Sequence, residues 1–303
     1  MKNYNDIICP ICHEDRFQKK ATCKDYFVSG ERFDICECQN CKFLITVNTP
    51  QPKDIGNYYK SETYISHSNT NKGLINKTYH AVRSYMIRKK IKLVKKSSEL
   101  ETGSLLDVGA GIGLFAKEIS EKNWDVEGIE MSSDAREAAK NRFNISLHDT
   151  SYWSEIPNQS KDVITLWHVL EHIPNLNEIW DEFDRVLKHS GTLIIAVPNP
   201  DSYDAAVYKE EWAAFDVPRH LWHFTPKTLE KLANKHNFQL IKKHPMPFDG
   251  FYISMISEKN QGNSLSVLKG FWTGLKGYAS SLSNRDRSSS IIYILKKNQS
   301  VGR

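Results

Sequence analysis

The sequence predicts an α/β chain: a doubly wound, mostly parallel sheet preceded by a small metal-stapled module. Three observations carry this. Short apolar runs near 105–106, 126–129, 163–166 and 193–197 alternate with helical segments, the pattern of parallel strands joined by crossover helices. Gly109, Gly111 and Gly113 follow the first of these runs, at the carboxyl end of a strand, where open sheets of this kind bind ligands. All six cysteines fall within the first 41 of the 303 residues.

The cysteines define the small module. Cys9-Pro-Ile-Cys12 and Cys38-Gln-Asn-Cys41 are two C-x2-C knuckles separated by 25 residues. Each turn presents two thiolates, and two such turns complete a tetrahedral Zn²⁺ site, a zinc ribbon. Four thiolates leave the metal no open position, so its expected role is structural. Cys36 competes with Cys38, but it leaves a C-x4-C spacing and is expected in the strand leading to the knuckle. Cys23 and His13 are read as bystanders. Residues 1–47 are taken as the ribbon, 48–74 as a polar linker and 75–303 as the larger domain. No apolar h-region opens the sequence and its clean apolar runs are strand-sized, so a cytoplasmic location and reduced thiols are expected.

The linker gives way to an amphipathic helix expected from Tyr79 to Leu100, whose Lys-rich remainder is read as a solvated face. Leu105 and Leu106 then end a buried strand, and Asp107 stands at the mouth of the glycine loop. A loop built for pyrophosphate attracts negative charge, which a carboxylate beside it would repel. The dinucleotide pattern G-x-G-x-x-G would also need Gly at 114, where Leu114 stands. A ligand carrying an ammonium and a sulfonium, S-adenosylmethionine, suits Asp107 better. A second strand ends at Glu130, 17 residues beyond Gly113, where a carboxylate accepts ribose hydroxyls; Met131 follows it. A short third strand (Ile145, Leu147) leads to Asp149 and Thr150, placed for the adenine. A fourth, Val163 to Leu166, runs into Trp167 and His168, expected to line the cofactor crevice. The fifth, Thr192 to Val197, is followed by Pro198. Two further helix starts are legible: Asn175 with Glu178, and Thr225-Pro226.

This order of motifs, strongest in LLDVGAGIG, the Glu130 strand end and WHVLEHIPN, resembles the class I S-adenosylmethionine-dependent methyltransferases over residues 75–300. The resemblance implies a seven-stranded Rossmann-like sheet. It places Asp107, Gly109, Gly111 and Gly113 at the methionine end, Glu130 at the ribose and Asp149 at the adenine. The ribbon resembles the zinc-binding domain that precedes many bacterial small-molecule methyltransferases. His168-Val-Leu-Glu171-His172 matches H-x-x-E-H, found in certain zinc peptidases, and on a helix its three polar side chains would share one face. Its position after the fourth strand favours a cofactor- or acceptor-lining role over a metal.

Acceptor-site insertions are expected at about 198–225 and 245–282. In the first, six aromatics interleave with Asp216, Arg219, His220 and His223, a composition that suits a mostly apolar pocket with a few placed polar groups. Asp216 to Thr225 resembles the segment that supplies a catalytic histidine in sugar C-methyltransferases and places it at His220. Arg219 stands where that family has Glu, so oxygen is the expected acceptor atom and carbon the alternative. A hydroxyl acceptor needs a base, and His is the side chain poised near neutral pH; His220 ranks first, His168 second and His223 third.

The expected partner is a small-molecule acceptor. Nucleic acid is not expected, because the net charge is only +5 and no basic-aromatic stripe is evident. A non-catalytic module is disfavoured by the three carboxylates at successive strand ends. Residues 258–303 carry eight Lys/Arg against two Asp/Glu. The helix expected at 264–282 is read first as packing over the acceptor site, and second as a contact for an anionic membrane surface.

Overall fold

The computed structural model describes residues 7–51, 54–59 and 74–298, with helix residues 74–81 as backbone only; most of the expected linker lies outside them. The ribbon is a meander of β1 (Phe17–Lys24), β2 (Arg32–Cys38) and β3 (Leu44–Val47), with antiparallel neighbours. Its first turn is tied by the Asp25 carboxylate, which accepts the N–H groups of Phe27 and Ser29 at 2.9 and 2.8 Å. As expected, Cys36 lies within β2, and Cys23 is core. The sheet does not stop at residue 47. A two-residue strand, β8 (Trp222–His223), adds to β3 with Leu44 opposite His223.

The large sheet contains β4 (Ser104–Val108), β5 (Asp125–Ile129), β6 (Lys161–Trp167), β7 (Leu187–Pro198), β9 (Phe238–Pro245) and β10 (Ser290–Lys297). Their order is β5-β4-β6-β7-β10-β9, parallel through β7, with β10 antiparallel to both neighbours. Six strands replace the seven expected. The segment assigned to the third strand makes only a bridge between Ile129 and His148: Leu147 turns inward, to where a Cβ on Gly128 would sit.

Residues alternate between two packed faces, as a sheet covered on both sides requires. One face carries α1 (Leu74–Ser98) and α2 (Leu114–Ser120), with Ile87, Ile91, Val94, Phe115 and Ile119 against Leu105, Val163, Ile194 and Ile292. The other carries α4 (Leu176–Val186) and α6 (Pro226–Lys235). There Trp180, Phe183, Leu229 and Leu232 meet Leu106, Ile164, Leu193 and Tyr293. The Thr225-Pro226 start is a full capping box with Thr228. Asn175 occupies the N-cap position of α4 but donates to Glu178 at 2.7 Å instead of capping the backbone. Helix α3 (Ser133–Phe143) follows β5 and α5 (Tyr203–Tyr208) follows β7.

The second insertion is a helical hairpin, α7 (Pro247–Asn260) and α8 (Ser266–Ser283). Its helices approach so closely that a Cβ on Gly270 would lie 2.5 Å from the Met255 Cα. No helix among the described residues is long and apolar enough to cross a membrane.

Candidate active site

The loop after β4 turns on left-handed residues. Gly109 has φ +68°, and a Cβ there would lie 2.4 Å from Val169 Cγ2; Gly111 has φ +57° and faces open space. That open cradle is what a ligand approaching the backbone needs. Asp107 is buried beneath it and accepts a hydrogen bond from the Thr165 hydroxyl at 2.7 Å. Burial pushes its carboxyl up to about 7, although Thr165 and Lys90 favour the charged form. Glu130 accepts the Gly111 N–H at 2.8 Å and the Ser132 N–H at 2.9 Å, so it braces the loop from the end of β5. Asp149 caps the short turn that begins at Thr150, accepting from Ser151 N at 2.8 Å. Its carboxyl lies below the usual range through the Ser151 hydroxyl and N–H. Met131, beside Glu130, is 66 % exposed. The loop, Asp107, Glu130 and Asp149 lie at the carboxyl ends of β4 and β5 and at the bridge beside them. This set fits an adenosyl nucleoside with a cationic end.

At the end of β6, Trp167 packs edge-to-face on Phe115 at 5.5 Å, and the Lys90 ammonium lies 4.3 Å above its ring. The Lys-rich side of α1 is therefore not solvated throughout: Lys90 turns inward. Trp167 Nε1 is buried without a hydrogen-bond partner among the described residues. His168 has φ +60°, and residues 170–172 form a single 3-10 turn. H-x-x-E-H therefore does not lie on one helical face. His168 swings to Asp249 in the first turn of α7, with Nε2 3.0 Å from Oδ2 and Nδ1 3.5 Å from Glu171 Oε1. Burial alone would lower its pKa, yet the Asp249 and Glu171 carboxylates raise it to about 9.

Behind it, buried Glu171 finds no hydrogen-bond donor for either oxygen among the described residues. His220 Nε2 stands 4.0 Å away, and the His172 and His220 rings meet edge-to-face at 4.5 Å. One donor atom each from Glu171, His172 and His220 falls within 4.8 Å of the others, a set that can hold an ion. Burial, and then His220, lowers the His172 pKa to about 4.

The 216–223 segment reaches toward the ribbon. Arg219 pairs with Asp216 at 2.6 Å and with Asp25 of the ribbon at 3.0 Å. His223 Nε2 lies 2.9 Å from the Thr46 hydroxyl, which donates to His220 O at 2.6 Å. Burial pushes His223 down to about 3. His220 is 8 % exposed, with Nδ1 2.9 Å from Ala214 O. Most aromatics of the insertion are core: Tyr208 and Trp212 pack together, and Trp222 and Phe224 pack on Phe43. Reasoning from spacing missed Asp249, Lys90 and Thr46. Asp249 is 81 residues from its partner, and no local signal links the two.

The four knuckle thiols converge. Cys9 Sγ lies 3.5 Å from Cys41 Sγ, Cys12 Sγ lies 3.5 Å from Cys38 Sγ, and all four fall within 4.8 Å of one another. A tetrahedron with metal–sulfur bonds of about 2.3 Å has edges of roughly 3.8 Å, so the set is compatible with a zinc ion.

The sheet order and the glycine loop at the carboxyl end of β4 define an α/β domain of the methyltransferase type. A family model for the methyltransferase domain matches residues 80–243, and the chain belongs to that family. The ubiquinone biosynthesis O-methyltransferase of Psychrobacter cryohalolentis is 28 % identical over 144 residues, 43 % of this chain and 56 % of that protein. The protein of the same name from Pelagibacter ubique is 28 % identical over 174 residues, 54 % and 72 %. The chain spans little more than half the length of the first of these relatives. Among solved structures, a SAM-dependent methyltransferase from Archaeoglobus fulgidus superposes with a TM-score of 0.48 at 18 % identity, covering 72 % of this chain and 94 % of that one.

Proposed function

We propose that this chain methylates a hydroxyl oxygen of a small molecule, with S-adenosylmethionine as donor. The carrying observation is the open glycine loop, braced by Glu130, with Asp107 beneath it, at the carboxyl ends of adjacent strands β4 and β5 and beside the Trp167-His168 end of β6. The donor supplies a methyl group already activated on a sulfonium, so placement in line with the acceptor does most of the work. Asp107 receives the cationic end, Glu130 the ribose and Asp149 the adenine, with Met131, Thr150 and Trp167 flanking them. His168, the most exposed of the three candidate histidines, takes the hydroxyl proton in its neutral form, and Asp249 orients its ring and balances the charge that develops. A sulfonium nearby lowers the His168 pKa from about 9 toward the working range. His220 acts through Glu171 as a positioning residue and His223 holds the ribbon. The relatives' names as O-methyltransferases support oxygen over carbon.

Zn²⁺ held by Cys9, Cys12, Cys38 and Cys41 has a structural role in this reading. We also propose, as the second of the two readings for this helix, that the exposed side of α8, where Val267 is 69 % and Trp272 55 % exposed beside Lys269 and Lys276, contacts an anionic membrane surface.

The test is transfer of a radiolabelled methyl group to a panel of hydroxylated, aminated and carbon-acid small molecules and to ribosomal RNA. Label at a hydroxyl supports the proposal. Label only at carbon or in RNA, or nucleoside binding with no transfer to any acceptor, overturns it.

A further inference from the structure

A cavity of about 530 Å³ lies between α1, the end of β9 and the α7–α8 hairpin. It is lined by Lys89, Lys90, Lys242, His244 and Arg285, and among the described residues no Asp or Glu lines it. Among the described residues, Lys89, Lys242 and Arg285 have no carboxylate within ion-pair distance; the neighbouring Lys243 takes Asp286. Burial, then Lys242 and Arg285, depresses His244, so the cations crowd one another. The remaining wall is apolar, with Met86, Met246 and Phe248 prominent. Two wall residues adjoin the β6 strand end. Lys90 lies over Trp167, and Phe248 precedes Asp249, the partner of His168. A cavity this size fits a drug-sized ligand, and unpaired cations on an apolar wall select an anion with an apolar body.

We propose that this cavity binds the acceptor, and that the acceptor is an anionic amphiphile: an apolar or aromatic body bearing a carboxylate, sulfonate or phosphate, with its hydroxyl directed toward His168. This rests on the methyl-transfer reading above.

The experiment uses 8-anilinonaphthalene-1-sulfonate and its uncharged counterpart N-phenyl-1-naphthylamine as fluorescent probes on the full chain. The sulfonate is expected to bind at least tenfold tighter than the neutral probe. Lys242→Gln/Arg285→Gln, two exposed side chains, should weaken the sulfonate at least tenfold and the neutral probe less than twofold. Equal affinities for the two probes, or a double variant that binds the sulfonate like the wild type, overturn the proposal. S-adenosylhomocysteine calorimetry separates the failures. No heat with the probe discrimination intact sinks the nucleoside site and leaves the anion cavity; normal heat without discrimination does the reverse.

Discussion

Asp107→Asn should make the ligand-free protein more stable and the nucleoside-bound protein weaker. The carboxylate sits in a dry position with Thr165 as its hydrogen-bonding side chain and Lys90 nearby, and its pKa is raised to about 7. From about 3.9 in the unfolded chain, at about 1.4 kcal/mol per tenfold, full ionisation in the fold costs on the order of 4 kcal/mol. Asn keeps the shape and removes the charge, but leaves Lys90 without its counter-charge, so a net gain of about 2 kcal/mol is expected. The sign follows from proton linkage. A raised carboxyl binds more protons in the folded state, so its cost is absent below about pH 4 and grows until pH passes 7. For a domain of this size the gain raises Tm by about 4–8 °C at pH 8, and by nothing at pH 4. The same change removes a charge-assisted hydrogen bond to the ligand's ammonium, about 1.5–3 kcal/mol, and weakens binding roughly 10- to 150-fold. Thermal melts at the two pH values and calorimetry with S-adenosylhomocysteine read both arms. A variant no more stable at pH 8, or one that binds within threefold of wild type, refutes the argument.

Other consequences follow at His168 and away from the nucleoside loop. Metal analysis should find about one zinc per chain, and Cys38→Ala should lose it and lower the melting temperature; full retention would remove the metal. His168→Asn should abolish the rise in methyl transfer with pH, a rise that the bound sulfonium shifts below the ligand-free value of about 9. It should also cost stability below about pH 6.5, a loss that fades as pH passes 9. An unchanged pH–rate profile would take the proton role from His168. Arg219→Ala strands Asp25 and Asp216, so urea denaturation should show a loss of about 3–5 kcal/mol. Flotation with phosphatidylglycerol vesicles should retain the wild type and release Trp272→Glu; no retention of the wild type removes the membrane contact.

The glycine loop, Asp107 and the four cysteines were legible because each uses a residue type whose chemistry is local: a left-handed turn, a carboxylate at a strand end, paired thiolates. What escaped was contact across long separations. Asp249 reaches His168, Arg219 reaches Asp25, and Thr46 reaches His223. No periodicity encodes such pairs. H-x-x-E-H does not form the single helical face its spacing would allow, because a positive φ at His168 sets that residue apart from the 3-10 turn of 170–172. The third strand misled because an apolar pair such as Ile145 and Leu147 reads as a strand, although only His148 bonds to the sheet. Lys90 reads as one of the solvated lysines because it lies in the run Arg88, Lys89, Lys90, Lys92, Lys95 and Lys96, and nothing in that run marks it as turned inward.

The seam between β3 and β8 makes the boundary at residue 47 misleading for anyone trimming the gene. A fragment beginning near residue 75 would leave Trp222 and Phe224 bare where Phe43 covered them, and would strip Arg219 of one carboxylate. Such a fragment should come out of expression as inclusion bodies, however complete its nucleoside crevice looks on paper.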